Sequence, residues 1–236
     1  MKKLSELFWT CNNLDYDEAG NGVNYKFMED GSTLYIYFQG SYQTTDWVRN
    51  FLFGKRPYKD MDVPYFVHRG FLEAWKEVED IVIAKILEKD KRLVFDQKAK
   101  RYREKDSFRW KEIVVVGYSH GGALAQFCHE CVWYYREDLR EEGLVGFGFE
   151  SPRIYHSYKM KDELKQRWDK FLLIRCNNDL VTHCPSRIFG YCDILKTIQI
   201  RGDIGLAPNK WWIPKCIKSH YPKVVMDGLT KLEEAE

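Results

Sequence analysis

The sequence predicts an α/β fold with a mostly parallel central sheet and helices on both faces. Three observations predict it. The β-branched run Ile113-Val114-Val115-Val116 passes through a tight turn into a helical pattern marked by Leu124, Phe127, Cys128, Cys131 and Tyr135. Apolar runs of strand length alternate with amphipathic helical stretches along much of the chain, the order that parallel sheets require. The 236 residues suffice for one sizeable core and show no internal repeat or Pro/Ser-rich linker, so a single domain over 1–236 is expected.

The elements follow in order. Residues 1–20 read as polar, with one short apolar patch at Leu7 to Trp9. Val23 to Met28 and Leu34 to Phe38 form a hairpin around Glu29-Asp30-Gly31-Ser32. Thr44, Thr45 and Asp46 offer helix caps, and Trp47, Val48, Phe51 and Leu52 share one face of a short helix over 44–54 that Gly54 ends. On that face pattern alone, the segment is a core-facing helix. Val63 to Val67 is a strand with Pro64 at its start or on an edge. His68-Arg69-Gly70 turns into a long helix with its stripe at Phe71, Trp75, Val78, Val82 and Ile86. The stretch 88–111 holds ten basic and five acidic residues, and these mixed signs mark a solvated insertion more than a basic docking patch. Gly143 to Phe149, Phe171 to Cys176 and Ile194 to Ile200 are further strands, with a short helix over Lys159 to Trp168. A loop rich in Gly, Pro and Trp leads to a last helix, Lys223 to Leu232.

Composition removes several function classes. A net charge of +2 gives no electrostatic case for nucleic acid. No apolar run reaches transmembrane length. The seven cysteines are odd in number, and their spacing fits no disulfide framework or zinc pattern. Cys176, His183, Cys184 and Cys192 cluster with Asp179 in sequence, yet a metal is not expected there. Free thiols and an N-terminus without a signal peptide point to a cytoplasmic location.

The chemistry centres on Gly117-x-Ser119-x-Gly121, at the junction of strand and helix. This matches the nucleophile-elbow pattern of α/β-hydrolases: a strained turn that pushes a serine hydroxyl outward, flanked by glycines because strand and helix pass too closely for side chains. A serine hydroxyl needs a base, and the base needs an acid to hold its tautomer. In that fold the acid and then the histidine follow the serine on later loops. Asp179, three residues beyond the Phe171–Cys176 run, fits the acid better than Asp193, which precedes a strand, or the late Asp203. Of six histidines, His156, His183 and His220 lie far enough downstream of Ser119 to stand on a later loop. His220, after the last strand and before the final helix, fits the base better than His183, which shares the loop of Asp179.

These residues resemble the class 3 lipases, the fungal-type triacylglycerol lipases and their bacterial relatives. Val116-Gly117-Tyr118-Ser119-His120-Gly121-Gly122-Ala123-Leu124-Ala125 is similar to their G-H-S-L-G-G-A-L-A elbow. Phe38-Gln39-Gly40-Ser41 with Asp46-Trp47 resembles the F-R-G-[ST] oxyanion strand and the lid after it. Val67-His68-Arg69-Gly70-Phe71 resembles V-H-x-G-F, and Phe149-Glu150-Ser151-Pro152-Arg153 resembles F-G-S-P-R. Asn178-Asp179-Leu180-Val181 resembles N-D-P-V, and His220-Tyr221 the C-terminal H-Y segment. The resemblance implies a serine carboxylic ester hydrolase, most similar to a triacylglycerol lipase, without cofactor or metal. Ser119 would be the nucleophile, His220 the base and Asp179 its orienter. Ser41 and the His120 N–H would form the oxyanion hole. Trp47, Val48, Phe51 and Leu52 would line a lid over the acyl site, while His68 and Arg69 would be structural. The partners implied are an ester or lipid substrate and a transient lipid interface. Tyr118, His120 and Leu180 depart from the family's His, Leu and Pro, and none of these changes removes a catalytic group. The competing reading is a non-catalytic lipid- or ligand-binding protein on the same fold.

Overall fold

The computed structural model describes residues 2–20, 22–40, 54–58, 65–96, 100–156 and 162–235. The chain begins with helix α1 (Leu4–Asn13), then strands β1 (Asp17–Ala19), β2 (Val23–Asp30), β3 (Thr33–Phe38), β4 (Lys55–Tyr58) and β5 (Tyr65–His68). Helix α2 (Arg69–Ile86) leads to β6 (Lys89–Asp96), β7 (Arg101–Phe108) and β8 (Glu112–Tyr118), and α3 (His120–Tyr135) to β9 (Leu144–Phe149) and β10 (Tyr155–His156). After the short α4 (Asp162–Lys165) come β11 (Phe171–Cys176), β12 (Tyr191–Cys192), β13 (Lys196–Ile200), the short α5 (Lys215–Lys218) and α6 (Pro222–Glu234).

The main sheet has the order β1-β2-β3-β8-β9-β11-β13. From β3 to β13 every neighbour is parallel, and β1 and β2 add an antiparallel edge. The alternation of side chains along each strand sorts the core into two layers. Leu34, Ile36, Phe38, Ile113 and Val115 face α2 and α3, meeting Phe71, Trp75, Val78 and Phe127. Tyr35, Tyr37, Val114, Val116, Phe149 and Ile174 face the other way, onto Leu7 and Phe8 of α1 and Val224, Val225 and Leu229 of α6. The expected parallel sheet with helices on both faces is therefore what forms.

The long helix begins where the sequence places it. His68 caps α2, its Nδ1 accepting from the Phe71 N–H at 3.4 Å, and the whole stripe from Phe71 to Ile86 is buried. Three details differ from the sequence reading. The N-terminal stretch is helix α1, which buries Leu7, Phe8 and Cys11. A helix of ten residues is marginal alone. Burial of Leu7 and Phe8 contributes about 3–6 kcal/mol, enough to hold it on the sheet. Ser5 adds hydrogen bonds from its N–H and hydroxyl to Glu233 of α6 at 2.8 and 2.7 Å. The charged stretch 88–111 is a two-stranded antiparallel hairpin, β6 with β7, separate from the main sheet. The helix expected to run to Trp168 is described from Asp162, as one α-turn followed by a 3-10 turn at Gln166–Trp168. The lid-like helix expected over 44–54 lies outside the described residues up to 53.

Phe8→Ala should lower unfolding free energy by about 3 kcal/mol or more in a urea titration, because α1 is part of the core. A loss under about 1 kcal/mol would mean that α1 is dispensable to the fold.

Candidate active site

The parallel strands β8, β9, β11 and β13 all end at one edge of the sheet, and the loops leaving that edge carry the chemistry. The turn from β8 to α3 is built by close approach. A side-chain carbon on Gly117 would stand 2.1 Å from the Gly121 carbonyl oxygen, and one on Gly121 would stand 2.2 Å from that of Phe38. Only glycine fits at either position. Ser119, between them, is held at φ 54° and ψ −120°, a strained conformation for a residue with a Cβ. Its N–H donates to the Phe149 carbonyl at 2.8 Å, which ties the turn to β9.

The structure brings Ser119, His220 and Asp179 together in a chain. His220 Nε2 lies 2.8 Å from Ser119 Oγ, and His220 Nδ1 lies 2.6 Å from Asp179 Oδ2. The second Asp179 oxygen accepts from the Val181 N–H at 3.0 Å. Asp179 is fully buried, while Ser119 and the His220 side chain keep a small exposure, 8% and 11%. Burial works against the Asp179 carboxylate. The charge and hydrogen bond of His220, a hydrogen bond with Glu150 and the Val181 N–H outweigh it and hold the carboxyl below its usual pKa. Asp179 is thus ionised beside the imidazole, which fixes Nδ1 as the protonated nitrogen and leaves Nε2 to accept from the serine.

Tyr118 braces the histidine. Its hydroxyl donates to the His220 backbone carbonyl, and its ring stacks on the imidazole with centroids 5.3 Å apart. Phe8 of α1 packs edge-on against the same ring at 5.4 Å.

His120 opens α3 beside Phe71, with ring centroids 5.5 Å apart. Burial, then the neighbouring His68, push its pKa down to about 4, so the side chain is neutral near neutrality. Its N–H belongs to the first helical turn, where no earlier turn supplies an acceptor. Gly40 lies against Ser119: a Cβ there would be 3.3 Å from the serine Cβ. Ser41 follows Gly40, but Ser41, Trp47, Val48, Phe51 and Leu52 all lie outside the described residues.

The weaker candidates are engaged elsewhere. His183 Nδ1 meets the Asp179 backbone carbonyl at 2.8 Å. Asp193 pairs with Arg153 and Arg175, each at 2.8 Å, and Asp203 caps the turn at Gly205. These arginines also lock the loops: Arg153 donates to the His183 carbonyl at 2.5 Å and Arg175 to that of Ser151 at 3.1 Å. Among the described residues, Glu150, Asp179 and His220 are the one grouping of three metal-ligand side chains in mutual reach, within 4.8 Å. Two of them are already committed to each other. The sequence cluster of Cys176, His183, Cys184 and Cys192 does not converge.

Glu150 is the residue that sequence reasoning did not single out. It follows β9 at φ 49°, fully buried, with Oε1 accepting from the Cys176 N–H at 2.6 Å. Burial, then the hydrogen bond with Asp179 and that residue's charge, push its carboxyl well above the ordinary range. The available signal was an acid standing where the resembled motif has Gly.

The sequence model of the family Lipase (class 3) matches residues 35–189, a stretch that includes Ser119 and Asp179 and stops before His220. A lipase of Rhizomucor miehei is 26% identical over 165 residues, covering 67% of this chain and 39% of its own. A secreted mono- and diacylglycerol lipase of Fusarium solani is 28% identical over 158 residues, covering 67% and 41%. The chain thus spans about two-fifths of the length of these curated relatives. Among solved structures, the native Rhizomucor miehei lipase propeptide complex superposes with a TM-score of 0.59 at 21% identity, covering 92% of this chain and 68% of that one. The expectation of a cytoplasmic location is corrected by these matches, since the relative from Fusarium solani is a secreted enzyme. The thiol argument behind it was weak for a physical reason. Cys11, Cys128, Cys131, Cys176 and Cys192 are buried, and such thiols serve as small apolar side chains whatever the compartment.

Gly121→Ala should cost about 3 kcal/mol or more in denaturant titration, because the new methyl meets backbone and not a movable side chain. Unchanged stability would contradict the close approach.

Proposed function

The chain belongs to the class 3 lipase family, and on that premise we propose that it is a serine carboxylic ester hydrolase acting on acylglycerol-type lipid esters. The observation that carries the reading is the continuous contact from Ser119 Oγ through both ring nitrogens of His220 to the buried Asp179. Ser119 Oγ attacks the ester carbonyl carbon while His220 Nε2 takes its proton. The His120 N–H and Ser41 stabilise the tetrahedral oxyanion; the nearness of Gly40 to Ser119 supports the second assignment. Collapse breaks the bond to the alcohol, which leaves with the proton from Nε2. Water, deprotonated by the same nitrogen, then cleaves the acyl-Ser119 ester and regenerates the hydroxyl. Asp179 keeps Nδ1–H oriented and stabilises the imidazolium in both half-reactions. The segment 44–54 is assigned as the cover of the acyl site, supported by the helical spacing of Trp47, Val48, Phe51 and Leu52 in the sequence. The charged hairpin remains an appendage of one hydrolase domain.

A lipid substrate presents itself at an interface, and the same sheet edge carries side chains suited to one. The loop after β13 exposes Trp211 (94%) and Trp212 (61%), and the loop after β11 exposes Ile188 (91%) and Phe189 (66%). Lys210 Nζ sits 5.3 Å above the Trp212 ring, and Lys215 and Lys218 follow in α5. Exposed tryptophans flanked by lysines are the side chains that settle at a lipid–water boundary.

Hydrolysis of chromogenic acyl esters of increasing chain length tests the activity. The parent should turn them over, and Asp179→Asn should lose about 10⁴-fold in kcat by trapping the wrong imidazole tautomer. No turnover of any ester would leave the non-catalytic binding reading in its place.

The interface assignment has its own measurement. Replacing Trp211 and Trp212 together by Ser should weaken sedimentation with phosphatidylglycerol vesicles by about tenfold or more, and lower turnover of aggregated esters more than of soluble ones. Equal binding of both proteins would remove these residues from the contact.

A further inference from the structure

Of the buried titratable groups that take no part in the mechanism, Glu150 is the one that lies against the catalytic acid. Glu150 emerges from β9 as the strand ends, its N–H fixed to the Ile174 carbonyl at 2.8 Å. One carboxyl oxygen is saturated by the Cys176 N–H, while the other, Oε2, is sealed from solvent and reached by no donor. A Glu150 oxygen and an Asp179 oxygen lie within 4.8 Å of each other and of a His220 ring nitrogen. Two carboxylates cannot both stay ionised at this distance in a sealed site. Asp179 has the charge of His220 and the Val181 N–H to stabilise it, whereas Glu150 has only the uncharged amide and thiol of Cys176. The proton therefore belongs on Glu150, and Asp179 is the acceptor that faces it.

We propose that Glu150 is a positioning residue of the triad: a neutral carboxylic acid whose O–H donates to the Asp179 carboxylate and holds that carboxylate in line with His220. The chain then runs Glu150, Asp179, His220, Ser119, with four side chains from four loops of the same sheet edge. The backbone supports the assignment. Glu150 is held at φ 49°, a region that strains a residue with a Cβ and that glycine enters freely. A glutamate kept there, fully buried, spends both strain and burial on one contact with the catalytic acid. The other titratable groups packed around it add no cation. They are Cys176 on β11, Tyr118 on β8 and, beyond Tyr118, Cys11 on α1. Arg175, next along β11, is turned to Asp193 and the Ser151 carbonyl. His220 meets Asp179, and its positive charge in the transition state strengthens the carboxylate that Glu150 supports.

The kinetic arm of the test rests on the hydrolase reading; two other arms need no turnover. In the infrared spectrum at neutral pH, the parent should show the carbonyl stretch of a protonated carboxylic acid, and E150Q should lack it. The folding equilibrium gives the second arm. A carboxyl whose pKa is raised by folding stabilises the fold below its unfolded value, near 4.5, and loses that contribution as pH rises through the folded value. The melting temperature of E150Q should therefore gain on the parent as pH rises from that point. In the kinetic arm, Glu150→Ala should lose about 10- to 100-fold in kcat with KM little moved, the effect of one charge-assisted hydrogen bond. Gln, which restores a donor to Asp179 and an acceptor for Cys176, should recover most of that loss. An absent infrared band, or a pH-independent difference in melting, would show Glu150 ionised and overturn the proposal. Equal kcat in Ala and Gln variants would overturn it as well. If the band is present and no variant or parent turns over any ester, the protonated pair stands and the hydrolase reading falls.

Discussion

The structure depends on one close approach, that of the start of α3 to the ends of β8 and β3, at Gly117 and Gly121. With 2.1 and 2.2 Å available where a methyl would go, no other residue fits. The approach holds Ser119 in its strained turn and packs α3 against β9, with the His120 N–H at the very start of the helix. What the proposed chemistry needs at the serine follows from that constraint: a hydroxyl turned to the His220 ring, a dipole end, and a backbone that does not reorganise during reaction.

Around this turn the fold works as a frame for loops. The parallel strands deliver Ser119, Glu150, Asp179 and the His220 segment to one edge, from four places far apart in sequence. Short bonds between the loops then hold the register. Asp193 gathers Arg153 and Arg175, Leu180 N–H reaches the Cys216 carbonyl at 3.0 Å, and Tyr118 carries the His220 backbone. Helix α1 lies behind this arrangement, where Phe8 packs on both Tyr118 and Phe149. The N-terminal segment is therefore coupled to the histidine through a single aromatic ring.

Much of this was legible in the sequence, and the exceptions have physical reasons. The β8–α3 unit, the β2–β3 hairpin and α2 were readable because their patterns are local: β-branched runs, a Gly31-Ser32 turn, a full apolar stripe with His68 before it. The grouping of Ser119, Asp179 and His220 followed from the order in which such loops leave a parallel sheet, and the family resemblance pointed to the same three. Helix α1 was not readable because its apolar stripe is too short to stand out; the sheet supplies its stability. The β6–β7 hairpin was hidden by charge, since its strands pair with each other and not with the core. Glu150 was concealed inside a motif match, where its neighbours Phe149, Ser151, Pro152 and Arg153 agreed and the one differing position placed a buried carboxyl beside Asp179. Localisation was misjudged because buried thiols do not report the compartment.

The central claim is that the Ser119 hydroxyl is activated by His220. The most direct measurement is reaction with a serine-directed alkyl phosphonate, read by intact mass and peptide mapping, in the parent and in His220→Ala. The account predicts one phosphonyl group per chain, on Ser119 alone, and no labelling of the variant on the same timescale. Labelling of another serine, equal labelling of both proteins, or no labelling of the parent would contradict it.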